Sequence, residues 1–111
     1  MAALVTIGIV TWNSASDVER CLDAVRAQQH QPIELLVGDN ASTDGTRAVL
    51  EARTGESERR YFPANRGFSA AHNALIRDSR GVYYLSLNGL SLQTDGTNYS
   101  RVNRITRWAR W

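Results

Sequence analysis

Apolar residues along this chain follow two alternating spacings. Val5-Thr6-Ile7-Gly8-Ile9-Val10 is short, β-branched and nearly continuous, as in a parallel strand covered on both faces. Ser16-Asp17-Val18-Glu19 has the form of a capping box, with the Ser16 hydroxyl placed to accept from the Glu19 amide. Val18, Cys21, Leu22 and Val25 follow on one helical face, and the stretch from Gln28 to Pro32 ends that helix. Ile33 to Gly38 is a second buried-strand run, stopped by the capping and turn residues Asp39 to Gly45. A second helix is predicted from Thr46 to Arg53, with Val49 and Leu50 inward. Arg59 to Phe62 reads as a short third strand closed by Pro63, which cannot donate to a ladder. Asn65-Arg66-Gly67 turns the chain. Phe68, Ala71, Leu75 and Ile76 then mark a third helix ended by Gly81. Val82 to Leu87 is a fourth strand that halts at Asn88-Gly89.

The order β-α-β-α-β-α-β implies an α/β fold, a Rossmann-like parallel sheet with helices on both faces. Right-handed crossovers make 3-2-1-4 the economical strand order. Ligands in such sheets sit beyond the carboxyl ends of the strands. The polar, non-periodic residues fall there: Thr11 and Asn13, Asp39 to Asp44, Asn65 and Arg66, and Asn88. Residues 1–90 thus form the folded part. Residues 91–111 form a tail in which Val102, Ile105, Trp108 and Trp111 recur beside Arg101, Arg104, Arg107 and Arg110. The tail reads either as a short basic amphipathic helix or as disordered chain.

Charge and cysteine count narrow the classes. All thirteen basic residues are Arg, nine of them in residues 1–90 against ten acids and four in the tail against Asp95. The body is therefore near neutral and gives no general electrostatic case for nucleic acid. The single Cys21 excludes an intrachain disulfide and a cysteine-based zinc cluster, and its place on an apolar stripe reads as core filler. No apolar run approaches the roughly 18 residues of a membrane helix. No secretory signal is visible.

Four strand-end clusters could carry chemistry. Asp39 and Asn40 follow a buried strand, where a carboxylate can accept from a ribose hydroxyl or a base N–H, or can simply cap the turn. Thr11 and Asn13 lie beside them if the topology holds, as nucleoside or phosphate contacts or as local turns. Arg66 precedes a helix whose amides favour an anion, where its guanidinium suits a phosphate or a pyrimidine edge, or is simply a solvated loop arginine. His72, one turn into that helix, reads as a surface or packing histidine. Asn88 offers a neutral amide oxygen and, alone, a weak metal signal. Neither G-x-G-x-x-G nor the P-loop pattern occurs, which argues against a nicotinamide dehydrogenase and a P-loop ATPase.

Together these segments resemble the N-terminal half of the family-2 glycosyltransferases of the GT-A fold, in wording most like a rhamnosyltransferase-like branch. The resemblance rests on Val5 to Asn13, on Asp39-Asn40-Ala41-Ser42-Thr43-Asp44-Gly45-Thr46, on Asn65-Arg66-Gly67-Phe68 through Asn73, and on Tyr83 to Asn88. It implies a nucleotide-sugar donor, a divalent cation (Mg or Mn), and inverting transfer to the hydroxyl of a glycan or lipid-linked glycan, in a cytoplasmic location or, as the alternative, peripherally at the inner membrane face. By the same resemblance Thr11, Asn13, Asp39, Asn40 and Arg66 would bind the donor. Asn88 would hold the first position of a D-x-D-type metal motif. The sequence departs from the family where Leu90 stands at the expected metal-binding Asp. Nothing in residues 91–111 supplies an acceptor half with its general base, since Asp95 is their one carboxylate. The expectation is a chain truncated or frame-shifted near residue 89 and catalytically incomplete. The alternatives are a non-enzymatic nucleotide-binding module, or an Arg/Trp tail docking on nucleic acid or an anionic membrane.

Overall fold

The four apolar runs become the strands of one sheet, seen in a computed structural model that describes residues 3–27 and 32–88. In chain order the elements are β1 (Val5–Thr11), α1 (Ala15–Arg26), β2 (Ile33–Asp39), α2 (Thr46–Arg53), β3 (Arg59–Tyr61), α3 (Phe68–Asp78) and β4 (Tyr83–Asn88). The strands lie in the order β3-β2-β1-β4, all parallel, as the alternation of periods predicts. Every residue of β1 is buried, which accounts for its unbroken apolar character.

Strand alternation divides the core in two. On one face Ile7 and Ile9 of β1, Leu35 and Val37 of β2, and Leu85 and Leu87 of β4 meet Val18, Cys21, Leu22 and Val25 of α1 and Leu50 of α2. Burial pushes the Cys21 thiol up to about 12, with Asp17 adding to the shift, so it sits there as an inert small hydrophobe. The other face is smaller: Val10, Leu36 and Tyr84 pack against Ala71 and Leu75 of α3. There the Tyr84 side chain lies across Gly8, where a Cβ would overlap its hydroxyl. The hydroxyl stands 2.6 Å from His72 Nδ1. With Tyr84 as donor both groups are served and the histidine proton sits on Nε2. The opposite arrangement would strand the hydroxyl hydrogen as well. Nε2 has no partner among the described residues. Desolvation lowers His72 to about 4, against a small opposing effect of the Leu87 main chain, so the ring is neutral.

Three local expectations need correction. The capping box at Ser16 does not form, because α1 starts at Ala15 with Ser14 at its N-cap. The amides of Asp17 and Val18 both reach the Ser14 carbonyl, which places Ser16 inside the first turn. Phe68 is not an inward residue of α3 but 45% exposed, with its ring edge-on to His72 at 4.4 Å between centroids. And α3 ends at Asp78, ahead of Gly81, with Ser79 at its C-cap in extended conformation. The tail of residues 91–111, Leu90, Asp95 and the side chain of Asn88 lie outside the described residues.

Candidate functional site

The carboxyl ends of β1 and β2 are in register, Thr11 opposite Asp39. The Thr11 hydroxyl donates to Asp39 Oδ1 at 2.7 Å, and both residues are fully buried. Asp39 turns back on its own loop. Ser42 donates its hydroxyl to Oδ1 at 2.6 Å and its amide to Oδ2 at 3.0 Å. The same serine hydroxyl accepts from the Asn13 amide at 2.9 Å, and Asn13 Oδ1 accepts from the Thr43 amide at 2.8 Å. One serine and one asparagine therefore sew the β1–α1 loop to the β2–α2 loop. The turn requires positive φ at Asn13 (47°) and Ala41 (57°). Asparagine tolerates that region, whereas alanine holds it at a cost.

Deeper in, the Ser14 amide donates to Thr46 Oγ1 at 2.8 Å, and the Ala15 amide reaches Asp44 Oδ2. The Thr46 hydroxyl in turn donates to Asp44 Oδ1. That bond, first among its causes, holds the Asp44 carboxyl below its usual range. The start of α1 is thus capped from the neighbouring loop, which explains why the local capping pattern at Ser16 goes unused.

Asn40 extends the same network to the third loop. Its Nδ2 donates to the Gly67 carbonyl and its Oδ1 accepts from the Arg66 amide, both at 3.3 Å. Gly67 adopts φ 84°, a conformation natural only to glycine, and so turns the chain into α3. The exposed Arg66 guanidinium lies 4.4 Å from the Phe62 ring centroid, a cation–π contact that leaves its fork toward solvent.

The structure thus brings Thr11, Asn13, Asp39, Asn40 and Arg66 onto one rim, in two layers. Thr11, Asp39 and Asn40 are buried support, Asn13 is half-buried, and Arg66 is exposed. Asn88 pairs with Val10 at the same end of the sheet. Two contributors were missed by sequence reasoning as individual residues. Ser42 could have been flagged by its three-residue spacing from Asp39, the distance at which a carboxylate caps a following amide. Trp12, 47% exposed on the rim, could have been flagged as a large aromatic in a polar segment. Among the described residues no group of three His, Cys, Asp or Glu is assembled that could hold a metal ion.

Comparison with known proteins agrees with the fold. Residues 6–89 match Glycosyl transferase family 2, and the chain belongs to that family. It is 25% identical over 103 residues to the SPbeta prophage-derived glycosyltransferase SunS of Bacillus subtilis (strain 168), covering 91% of this chain and 24% of that protein. Chondroitin synthase of Escherichia coli is 30% identical over 82 residues, covering 72% of this chain and 12% of its own. Among solved structures, the mannosyltransferase PcManGT from Pyrobaculum calidifontis, in complex with GDP-Man and Mn2+, superposes with a TM-score of 0.72 at 27% identity. That match covers 85% of this chain and 29% of PcManGT. The chain therefore spans between about a tenth and a third of the length of these proteins. S. aureus TarS, with a TM-score of 0.64 at 21% identity, shares the fold.

Proposed function

We propose that this chain is the donor-binding part of a glycosyltransferase. Its carboxyl rim takes the nucleoside and diphosphate of an activated sugar, which the whole enzyme transfers with inversion to a hydroxyl of a glycan or lipid-linked glycan. The observation that carries the reading is the joining of three successive strand-end loops through the side chains of Ser42, Asn13 and Asn40. Such a rim is ordered before ligand arrives, so binding spends little on fixing loops. Asp39, oriented by Thr11 and Ser42, supplies an acceptor for a donor on the base or ribose. The exposed Trp12 ring offers a stacking face, a contact that in single-stranded nucleic-acid binding is worth about 1–3 kcal/mol per base. Arg66, stacked on Phe62 and free at its fork, faces the negative charge of the diphosphate.

The Mn2+ of PcManGT raises the question of a cation here. The described residues do not fit one, and Leu90 puts an alkyl group two positions after Asn88, where a carboxylate would be needed. No step is therefore assigned to a metal in this part of the enzyme.

Calorimetric titration with UDP, dTDP, GDP and CDP, with and without Mn2+, tests the proposal. The expected result is micromolar to millimolar binding of at least one of them, only slightly changed by Mn2+. Absence of binding to all four by a folded chain would refute it.

A further inference from the structure

Among the described residues, Ser42 is the one side chain bonded at once to the Asp39 carboxylate and to the backbone of the β1–α1 loop. Its amide and hydroxyl take the two oxygens of Asp39 separately, at 3.0 and 2.6 Å. That two-point hold fixes both the plane and the rotamer of the carboxylate, which a single bond from Thr11 would leave free to rotate. The same hydroxyl oxygen receives the Asn13 amide at 2.9 Å. Asn13 stands at φ 47°, so the amide that Ser42 receives belongs to a residue in a sparsely populated conformation. Without that acceptor Asn13 loses one of its ties to the opposite loop, the others running from the Thr43 amide and hydroxyl to Asn13 Oδ1.

The lone pairs can be counted. A carboxylate offers about four acceptor positions. Thr11 and Ser42 hydroxyls occupy the two on Oδ1, and the Ser42 amide occupies one on Oδ2. The fourth, on Oδ2, takes no bond among the described residues, beneath loops that leave Asp39 fully buried. Three of the four are committed to holding the group still, and two of those three come from Ser42.

We infer that Ser42 is the positioning residue of the donor site: it acts through Asp39 and Asn13, and sets how well the rim grips the base end of the nucleotide. This rests on the nucleotide-sugar reading above. Its consequence is confined to one end of the ligand, because Arg66 is tied to Asn40 rather than to Ser42.

The test is calorimetry on the full chain with Ser42→Ala, Ser42→Thr and Ser42→Cys. The probe is whichever of UDP, dTDP, GDP and CDP binds best, together with its nucleoside monophosphate. Ser42→Ala keeps the amide and loses the hydroxyl, and is expected to weaken both nucleotides by about tenfold. Their affinity ratio stays as in the wild type, since the phosphate end is untouched. Ser42→Thr restores the hydroxyl and is expected to bind within about twofold of the wild type. Ser42→Cys, a weaker donor, should fall between, and it carries the comparison if Ser42→Ala does not fold. A folded Ser42→Ala that binds like the wild type overturns the inference and leaves the nucleotide reading standing. So does a Ser42→Ala loss that falls on the diphosphate alone, or that Ser42→Thr fails to recover. Failure of the wild type to bind any nucleotide removes the nucleotide reading, and this inference with it.

Discussion

The two ends of the β1–β2 pair are built from the same parts and put to different use. At the amino end the Thr6 hydroxyl donates to Glu34 Oε1 at 2.8 Å, and at the carboxyl end the Thr11 hydroxyl donates to Asp39 Oδ1 at 2.7 Å. Both are threonine–carboxylate pairs from residues directly opposite in register. At the amino end the remaining partners are backbone. Gly81 donates its amide to Thr6 Oγ1, and Arg80 donates its amide to Glu34 Oε1. Gly81 sits so close that a Cβ there would lie 2.5 Å from the Thr6 nitrogen. That end is a closed staple holding the entry to β4. At the carboxyl end the partners are loop residues, and the loops leave Trp12, Thr43 and Arg66 at the surface. The difference lies in what is joined: chain to chain at one end, and three loops into one presenting surface at the other. A threonine–carboxylate pair across two strands is therefore no sign of a site by itself. The exposed chemistry around it decides.

The comparison can be broken in several places, and the largest effect is expected at the staple. Gly81→Ala forces a methyl group against backbone, and should cost about 3 kcal/mol or more in guanidinium unfolding. Nucleotide affinity of the folded protein should be unchanged. An equal loss of affinity would show that the ends are not independent.

Acid should act through α3 rather than through either end. His72 is neutral in the fold, at about 4, against 6.5 for the free side chain. The unfolded chain therefore binds the extra proton between those values, so stability is complete above about pH 6.5 and falls as pH drops toward 4. The loss should be on the order of 2–3 kcal/mol across that window. The double variant His72→Phe with Tyr84→Phe replaces both partners by apolar rings and should abolish this component. A wild-type pH profile retained in the double variant would show that another group is responsible.

Thr6→Val and Thr11→Val form the matched pair. Thr11→Val, beside the fully buried Asp39, should destabilise by about 2 kcal/mol, and Thr6→Val, beside the half-buried Glu34, by about 1 kcal/mol. Only Thr11→Val should also weaken nucleotide binding, by about tenfold. Parallel binding curves for the two variants would erase the distinction drawn between the ends.

The smallest effect is expected at Ala41. Glycine there relieves a positive φ but frees the unfolded chain, and Ala41→Gly should stabilise by no more than about 1 kcal/mol. A clear destabilisation would mean that the Ala41 methyl makes contacts of its own.

The strands and their order were legible because a doubly covered parallel strand leaves an unbroken β-branched run, and Val5 to Val10 and Ile33 to Gly38 are such runs. The rim was legible as a set of residues, since polar groups that interrupt periodicity at strand ends have few other places to go. What escaped were features settled by tertiary partners. Ser16 looked like a cap because Glu19 stands three residues on, but Thr46 and Asp44 reach α1 from the next loop and start it earlier. Phe68 fitted the apolar stripe of α3, yet at the helix's first position it stays 45% exposed. His72 gave no local signal of burial, because its partner Tyr84 lies on another element.

The central claim, that one nucleotide sits across three strand-end loops, is tested most directly by mapping amide chemical-shift changes as a nucleoside diphosphate is titrated into the 15N-labelled protein. The account predicts the largest changes in residues 11–14, 39–46 and 65–68, with the amides of Thr6, Glu34 and Gly81 at the opposite end unmoved. Changes centred on the amino end, or scattered with no focus on those three segments, would contradict it.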